Sequence, residues 1–123
     1  METIVYKSRP ETVKKAVLGH NLSTEWGGGG STESGSVTHI KNGIGIQGGY
    51  VVKNGKNVVG WGCAFKHKEI HVYVEPTFRK KGIASKIIER TKKDFPEHYF
   101  CPWNLDTFKL FEKTGAKMTR KYY

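Results

Sequence analysis

The chain has 123 residues, which is the length of a single domain. Hydrophobic residues make up 37% of it and aromatic residues 12%, enough for a packed core. No apolar run approaches the roughly 18 residues of a membrane span, and there is no signal-peptide pattern, so we expect a cytoplasmic protein with no membrane partner. The 2 cysteines and 5 histidines show no metal-ligand spacing, and we predict no metal site.

The net charge of +10 favours anionic partners. Lys and Arg are concentrated between Thr77 and Lys93. A solvated surface accounts for such a charge without any partner, whereas a cofactor phosphate, an acidic protein surface or RNA would account for it through binding. The charge alone leaves the partner and the oligomeric state open.

The N-terminal third begins with a strand-like alternation over Thr3–Lys7. The run Ser8-Arg9-Pro10-Glu11 is a capping-box pattern with proline at the first helical position, and it predicts a short helix that ends at Gly19. We expect the Gly/Ser-rich segment at about 26–36 to be flexible. It is either a binding loop that orders when its ligand binds or a linker, native or engineered.

A β-meander of four strands separated by tight turns is predicted next. Asn42-Gly43 and Asn54-Gly55 are two-residue hairpin signals, because both residue types accept the positive φ that such turns need. His67-Lys68 makes the third turn. The predicted strands cover Ser36–Lys41, Ile44–Lys53, Asn57–Lys66 and Glu69–Val74.

The strand Asn57–Lys66 is predicted to have one large face and one small face, because side chains alternate along a strand. The large face would carry Val59, Trp61, Cys63 and Phe65. The small face would carry Val58, Gly60, Gly62 and Ala64. We therefore expect another element to pack closely against the small face.

A basic turn that contains glycine lies between the strand Glu69–Val74 and a helix predicted over Ser85–Asp94. Such a turn directs several backbone N–H groups to one place, and the helix dipole adds partial positive charge there. Gly82 lets a ligand approach the backbone closely. The turn therefore suits a phosphate or pyrophosphate, as in a nucleotide-type cofactor. Its cations are Arg79, Lys80 and Lys81.

The C-terminal part alternates helices and strands. The helix after the basic turn carries an apolar stripe that predicts its buried side: Ile83, Ile87, Ile88 and Thr91. A fifth strand is predicted over His98–Pro102, and a terminal strand over Lys117–Tyr123. Between them, a last helix over Asn104–Thr114 is expected to bury Leu105, Phe108 and Phe111.

Two motifs at matching distances resemble the GNAT acyltransferase superfamily. The run Arg79-Lys80-Lys81-Gly82-Ile83-Ala84, preceded by Val74-Glu75-Pro76, resembles the family's acyl-CoA-binding signature. Asn104, Leu110-Phe111 and Gly115 stand at the spacings of the family's later helix. The resemblance covers roughly Gly48 to Tyr123.

The resemblance implies an α+β fold for residues 1–123: a single mixed, mostly antiparallel sheet with flanking helices and a shortened N-terminal region. It implies acetyl-CoA as the co-substrate and direct attack of an amine on the acetyl group. The strand before the basic turn is expected to splay from the next one. Backbone groups of Tyr73 and Val74 would then bind the pantetheine chain, with Pro102 and Trp103 across the gap.

The resemblance also places the cofactor against the basic turn and the two helices that follow. Arg79 either bonds the pyrophosphate directly or supports the turn. Asn104 either caps its helix, contacts CoA, or does both. The implied cofactor-binding residues are Tyr73, Val74, Arg79, Lys80, Lys81, Gly82, Ile83, Ala84, Ser85, Asn104 and Phe111.

Catalytic candidates alternate onto one face of the strand Glu69–Val74: Glu69, His71 and Tyr73. The family resemblance implies that Glu69 acts as general base through water, and His71 is the second candidate; a solvent-facing Glu69 and a buried structural His71 are the alternatives. Many family members have a tyrosine general acid where this chain has Phe111, which has no hydroxyl to donate. The substitute acid would be Tyr73, Tyr99, Cys101 or Thr107.

The sequence supports three functions. The first is an acetyl-CoA-dependent N-acetyltransferase whose acceptor is a protein lysine, an N-terminus or a small amine, with an acceptor on an acidic protein or RNA favoured by the charge. The second is a non-catalytic acyl-CoA-binding or partner-binding module, favoured by Phe111 and the short N-terminal region. The third is a nucleic-acid-binding protein, although no RNA-binding motif supports it.

Overall fold

The computed structural model describes residues 3–19, 45–102 and 105–118. Several predictions lie outside these ranges. They are the strand Ser36–Lys41, the turn Asn42-Gly43, the flexible segment at 26–36, the residues Trp103 and Asn104, and most of the terminal strand.

The described residues form a five-stranded sheet and three α-helices. The strands follow one another across the sheet in chain order, and all neighbours are antiparallel except the last pair, which is parallel. The elements are β1 (Thr3–Ser8), α1 (Pro10–Leu18), β2 (Ile46–Asn54), β3 (Asn57–Phe65), β4 (Glu69–Val74), a 3₁₀ turn (Pro76–Phe78), α2 (Ile83–Asp94), β5 (Tyr99–Phe100) and α3 (Leu105–Lys113). This arrangement confirms the predicted α+β class with its mixed, mostly antiparallel sheet.

Local sequence explains the meander. Gly55 adopts φ 64°, and Asn54 pairs with Asn57, so a tight turn joins β2 to β3 as the Asn-Gly signal predicts. β4 has the predicted bounds, and Lys68, the residue just before it, adopts a positive φ of 76°. The parallel partner β5 comes later in the chain, because a parallel strand needs a crossover connection, which α2 provides.

The sheet separates two hydrophobic clusters. On one side, α1 buries Val13 and Val17 against Trp61 and Phe65. On the other side, α2 buries its predicted stripe of Ile83, Ile87, Ile88 and Thr91. Phe111 of α3 joins that second cluster. The two sides of the sheet are therefore covered by different helices.

Helix α2 packs closely on the sheet at Gly62 of β3. A Cβ atom there would lie 2.4 Å from Cγ2 of Ile87, so only glycine lets α2 approach this far. At Gly49 of β2, which has φ 153°, a Cβ atom would lie 2.0 Å from the carbonyl oxygen of Gly62. The prediction that a small face of β3 admits a closely packed element is confirmed.

The predicted faces of β3 are wrong at Val59. The register between β2 and β3 shifts there, since Val52 pairs with Gly60 and Lys53 with Val58. The extra residue is a β-bulge, which places Val59 in the cluster under α2 instead of beside Trp61. Val58 is correspondingly on the α1 side, packed against the other cluster.

Two predictions about helix ends are also wrong. The residue before α1 is Arg9, and it makes no side-chain cap hydrogen bond, while the hydroxyl of Ser8 donates to the carbonyl of Tyr6. Ser8 is still part of β1, so it cannot be the cap. Leu105 is 53% exposed, because the first turn of α3 lies at the edge of the core.

Candidate active site

The basic turn has the backbone that its sequence predicts. Gly82 precedes α2 in the left-handed conformation with φ 83°, and no atom lies within 4 Å of the position of a Cβ there. Lys80 also has positive φ, at 63°. Two left-handed residues curve the chain so that the N-terminus of α2 faces an open space.

Arg79 supports the turn from within. Its Nε donates to the carbonyl oxygen of Val74 at 2.7 Å, and its guanidinium lies 5.7 Å from the ring centroid of Tyr73. Lys81 lies over the ring of Phe78 at 5.5 Å. The sequence left two roles open for Arg79, namely bonding the pyrophosphate or supporting the turn. Its contacts agree with support of the turn.

A cavity of about 560 Å³ lies between the basic turn and α3. Its floor is β4, through Val72 and Val74. The cavity brings together most of the residues implied as cofactor-binding, namely Val74, Arg79, Lys80, Gly82, Ala84, Ser85 and Phe111. Tyr73, Lys81 and Ile83 do not line it; Ile83 is in the core.

Helix α3 supplies wall residues that the sequence reasoning missed or assigned differently. They are Asp106, Leu110 and Lys113, together with Thr107, which was a candidate acid. Positions 106, 110 and 113 recur at helical spacing, so the signal was present in the sequence. Leu105, which was predicted to be buried, is exposed on the first turn of this helix.

Phe111 is fully buried, and its ring centroid lies 5.2 Å from that of Phe100. It also lines the cavity. Phenylalanine supplies contact area at this point but no proton.

Glu69, His71 and Tyr73 lie on the face of β4 opposite the cavity, as their alternation with Val72 and Val74 requires. Oε1 of Glu69 is 3.1 Å from Nε2 of His71 and 3.1 Å from Nε2 of His67. A carboxylate can only accept hydrogen bonds, so both Nε2 atoms donate, and the lone pair of neutral His71 is on Nδ1.

These contacts set the protonation of the pair. The hydrogen bond from His71 lowers the pKa of Glu69 to about 2. Burial lowers the pKa of His71 below its ordinary value, since a buried imidazole is disfavoured when charged. At neutral pH the pair is therefore a carboxylate beside a neutral imidazole.

Tyr73 is buried beside this pair, and its ring stacks on Trp61 with centroids 5.7 Å apart. This packing fixes the ring against the α1 side of the sheet, away from the cavity. Its side chain therefore serves the core here, and the proposed cofactor contact through its backbone stays a prediction.

The gap between β4 and β5 opens beside these residues. β5 pairs with β4 at Glu69 and Ile70, and the N–H of Cys101 donates to the carbonyl of Ile70 at 2.9 Å. Within residues 45–102 and 105–118, no ladder pairing joins these two strands beyond Cys101, although β4 continues to Val74. Pairing between the described residues of the two strands therefore ends near Cys101. The expected splay at Tyr73 and Val74 stays a prediction, because by the register of the ladder these residues stand opposite 103 and 104, outside the described ranges.

Cys101 completes a polar cluster with the β4 pair. Its Sγ, a carboxylate oxygen of Glu69 and an imidazole nitrogen of His71 all lie within 4.8 Å of one another. The prediction that this chain has no metal site stays a prediction. No local sequence pattern predicts the cluster, because Cys101 is far from Glu69 in the chain.

Comparison with known proteins identifies the family. The model of the acetyltransferase (GNAT) domain matches residues 46–117, more than half of the chain. The chain therefore belongs to the GNAT acetyltransferase family. A search of curated proteins found no match.

Solved structures share the fold. AAC(6')-Iy in complex with the bisubstrate analogue CoA-S-monomethyl-acetylneamine has a TM-score of 0.61 at 16% identity, covering 98% of this chain and 95% of that chain. The GNAT family protein SP0256 from Streptococcus pneumoniae TIGR4 has a TM-score of 0.57 at 14% identity, covering 94% and 88%. The ribosomal-protein-alanine N-acetyltransferase from Brucella melitensis biovar Abortus 2308 has a TM-score of 0.56 at 14% identity, covering 100% and 97%.

The described part of the chain has no helix that is long and apolar enough to cross a membrane.

Proposed function

We propose that this protein is an acetyl-CoA-dependent N-acetyltransferase of the cytoplasm that moves an acetyl group to an amine. One observation carries the proposal: the cavity of about 560 Å³ extends from the open, positively charged turn at Gly82 to Val72, beside the gap between β4 and β5. This shape fits a ligand with phosphates at one end and a narrow chain at the other.

The cofactor would lie along β4. Its pyrophosphate would bind at Gly82, where the N-terminus of α2 and Lys80 favour negative charge. The pantetheine chain would then follow the edge of β4 from Val74 back toward Ile70, a path of roughly 13 Å at about 3.3 Å per residue. The thioester would arrive where the gap begins.

Glu69 and His71 would take part in proton transfer. The best general base has a pKa near the working pH, and a pKa of about 2 makes the Glu69 carboxylate a weak acceptor. The imidazole of His71 is neutral because burial lowers its pKa, so it can accept a proton, and the 3.1 Å hydrogen bond that it donates to Glu69 holds its orientation. We therefore assign proton transfer to His71 and positioning to Glu69.

The acceptor is an amine, either small or carried on a protein. Among proteins with this fold, one was solved with an acetylneamine analogue and another is a ribosomal-protein-alanine N-acetyltransferase. The net charge of +10 would repel a polycationic acceptor, which favours an amine presented by an acidic protein surface or RNA. Both classes belong in the acceptor screen.

Phe111 favours a second candidate, a non-catalytic acyl-CoA-binding module. Direct attack of an amine leaves CoA as a thiolate that needs a proton, and Phe111 cannot supply it. Substitution of Phe111 by tyrosine tests this alternative. Turnover that rises in Phe111→Tyr indicates an enzyme limited by its missing acid, whereas binding without turnover in both proteins indicates the module.

Calorimetric titration of acetyl-CoA and desulfo-CoA at two salt concentrations tests the cofactor assignment. We expect micromolar binding that is lost in Lys80→Glu and Gly82→Glu, because both residues line the cavity. Gly45→Glu is the matched control, because Gly45 also has a positive φ of 79° and open space around it but lies away from the cavity. Absence of binding at both salt concentrations would overturn the proposal, and an amine screen would follow a positive result.

A further inference from the structure

The wall that α3 contributes to the cavity carries a positive charge that the basic turn does not account for. Among the described residues that line the cavity, three are cations, and two of them, Arg79 and Lys80, belong to the basic turn. The third is Lys113, on the last turn of α3. A lysine there also favours the helix end electrostatically, so a role toward a ligand needs further evidence.

The last turn of α3 lies away from the phosphate end of the cavity. Nζ of Lys92, near the C-terminal end of α2, donates to the carbonyl oxygen of Thr114 at 2.9 Å. Gly82 is at the other end of α2, where the pyrophosphate would bind. Lys113 directly precedes Thr114, so its backbone belongs to the part of the cavity wall that is remote from the basic turn.

That part of the wall is where the thioester would arrive. The ring of Phe111 lies 5.2 Å from the ring of Phe100, and Phe100 pairs with Ile70 of β4. The pantetheine chain of the proposed cofactor runs along β4 toward Ile70. Lys113 follows Phe111 by two residues, and both line the cavity. A lysine ammonium is therefore available at the thioester end of the proposed cofactor path.

The reaction needs a proton donor at that end, and Phe111 has no hydroxyl. Of the four groups that the sequence offers as substitute acids, Tyr73, Tyr99 and Cys101 do not line the cavity. Thr107 does line it, but an aliphatic hydroxyl is a far weaker acid than an ammonium. An ammonium and a phenol have nearly the same acidity, so a lysine can supply the proton that a tyrosine supplies.

We propose that Lys113 gives the proton to the CoA thiolate, in place of the tyrosine that many family members have at the position of Phe111. The proposal rests on the proposed function, because it requires acetyl-CoA in the cavity and an attacking amine. It adds to direct transfer a residue that lies outside both sequence motifs.

Atoms and protons balance in the single transfer step. The amine nitrogen attacks the acetyl carbon, the bond from that carbon to the CoA sulfur breaks, and the electron pair of that bond leaves on sulfur. The sulfur takes a proton from Nζ of Lys113, while the new amide nitrogen gives its proton to His71. His71 then releases a proton to water and Lys113 regains one from water.

Lys113→Arg tests the proposal, because arginine keeps the charge at the helix end but does not give up a proton. We expect kcat to fall by about 100-fold while the affinity for acetyl-CoA is kept. Release of CoA measures kcat, with neamine, an alanine-terminated peptide and hydroxylamine as probe amines, and calorimetry measures the affinity. Lys109→Arg is the matched control, because Lys109 is an exposed residue of the same helix that does not line the cavity.

Phe111→Tyr in the Lys113→Arg chain should restore most of the lost kcat, which a merely structural role of Lys113 would not allow. Full kcat in Lys113→Arg, an equal loss in Lys109→Arg, or a loss that tyrosine does not relieve would overturn the inference alone. An unmodified chain that binds acetyl-CoA but releases no CoA with any probe would overturn the enzyme assignment as well. Failure to bind acetyl-CoA would overturn the whole proposed function.

Discussion

The two faces of β4 have different chemistry although they belong to the same six-residue strand. Val72 and Val74 face the cavity and the basic turn, where positive charge collects. Glu69, His71 and Tyr73 face α1 and the edge of the gap, where a carboxylate and a neutral imidazole are hydrogen-bonded. Alternation thus keeps the acid–base pair apart from the cations that would bind phosphate, and substitutions on the two faces should have separable effects.

The largest effect is expected at Gly82, on the cavity face. Gly82→Glu should weaken acetyl-CoA binding by at least about 100-fold, or roughly 2.7 kcal/mol. The substitution forces a side chain into a left-handed conformation and brings a carboxylate to the phosphate position. Calorimetry measures the affinity. An equal loss in Gly45→Glu would show that backbone strain, and not the site, is responsible.

Glu69→Gln should affect the other face, lowering kcat by about 100-fold while the acetyl-CoA affinity is kept. An amide can donate to His71 as well as accept, so the imidazole loses its fixed tautomer and its nearby charge. Steady-state kinetics with calorimetry separates the two quantities. The control is Glu89→Gln on α2, where Glu89 forms an exposed ion pair with Lys92 at 3.7 Å. A parallel fall in affinity would contradict the separation of the faces.

Gly62→Ala tests the packing on the cavity side and should cost about 1–3 kcal/mol of unfolding free energy. The added methyl group would meet Ile87 at 2.4 Å and push α2 away from the sheet. Denaturant unfolding measures the cost. Gly48→Ala is the control, because its methyl group would lie an ordinary 3.5 Å from Phe95, and we expect little change there. If Gly62→Ala cost no more unfolding free energy than Gly48→Ala, α2 would be shown to move and accommodate the methyl group at no cost.

The smallest effects are expected on the pH dependence of stability. The effects of His71 and of Tyr50 have opposite signs. His71 has a pKa below its ordinary 6.5 when folded, because it is buried, so the unfolded chain binds the proton more tightly. The contribution of His71 to the free energy of unfolding is therefore complete above pH 6.5 and is lost as the pH falls. His71→Gln should flatten this acid limb in unfolding measurements between neutral and acidic pH. An unchanged limb would assign it to other groups.

Tyr50 lies on the α2 side of the sheet, and its effect on stability has the opposite dependence on pH. Burial, with a hydrogen bond from its hydroxyl to the carboxylate of Asp94, raises the pKa of Tyr50 to about 12. The folded chain therefore holds this proton longer than the unfolded chain, and stability falls as the pH rises above 10. Tyr50→Phe should flatten that alkaline loss, as measured by unfolding at pH 9 to 11. It should also weaken the acid dependence that comes from Asp94, because the same hydrogen bond lowers the pKa of Asp94. An unchanged alkaline loss would assign it to other groups.

The parts of the fold that sequence predicts are those fixed by neighbouring residues. The turn at Gly82, the hairpin at Gly55 and the apolar stripe of α2 each depend on a few consecutive positions, and all are present. The bulge at Val59 was missed because it arises from pairing with β2, where one extra residue must be accommodated. The end of β1 at Ser8 likewise overrides a local capping pattern.

The candidate site divides in the same way. The cavity lining around Gly82 follows from one continuous motif, and seven of its residues were implied by the family resemblance. The contact of Cys101 with His71 and Glu69 depends on the parallel pairing of β4 with β5, which no local pattern encodes. Which of these residues take part in catalysis stays a prediction until the variants are measured.

The alternation along β4 also limits how this protein can evolve. A deletion or insertion of one residue within β4 would turn every following side chain to the opposite face, exchanging valine for imidazole at the cavity wall. The turn at Gly55, by contrast, lies between two strands whose pairing tolerates a bulge. Among descendants of this sequence, the length of β4 should therefore be preserved more strictly than the identity of its valines, and changes in chain length should collect in the turns.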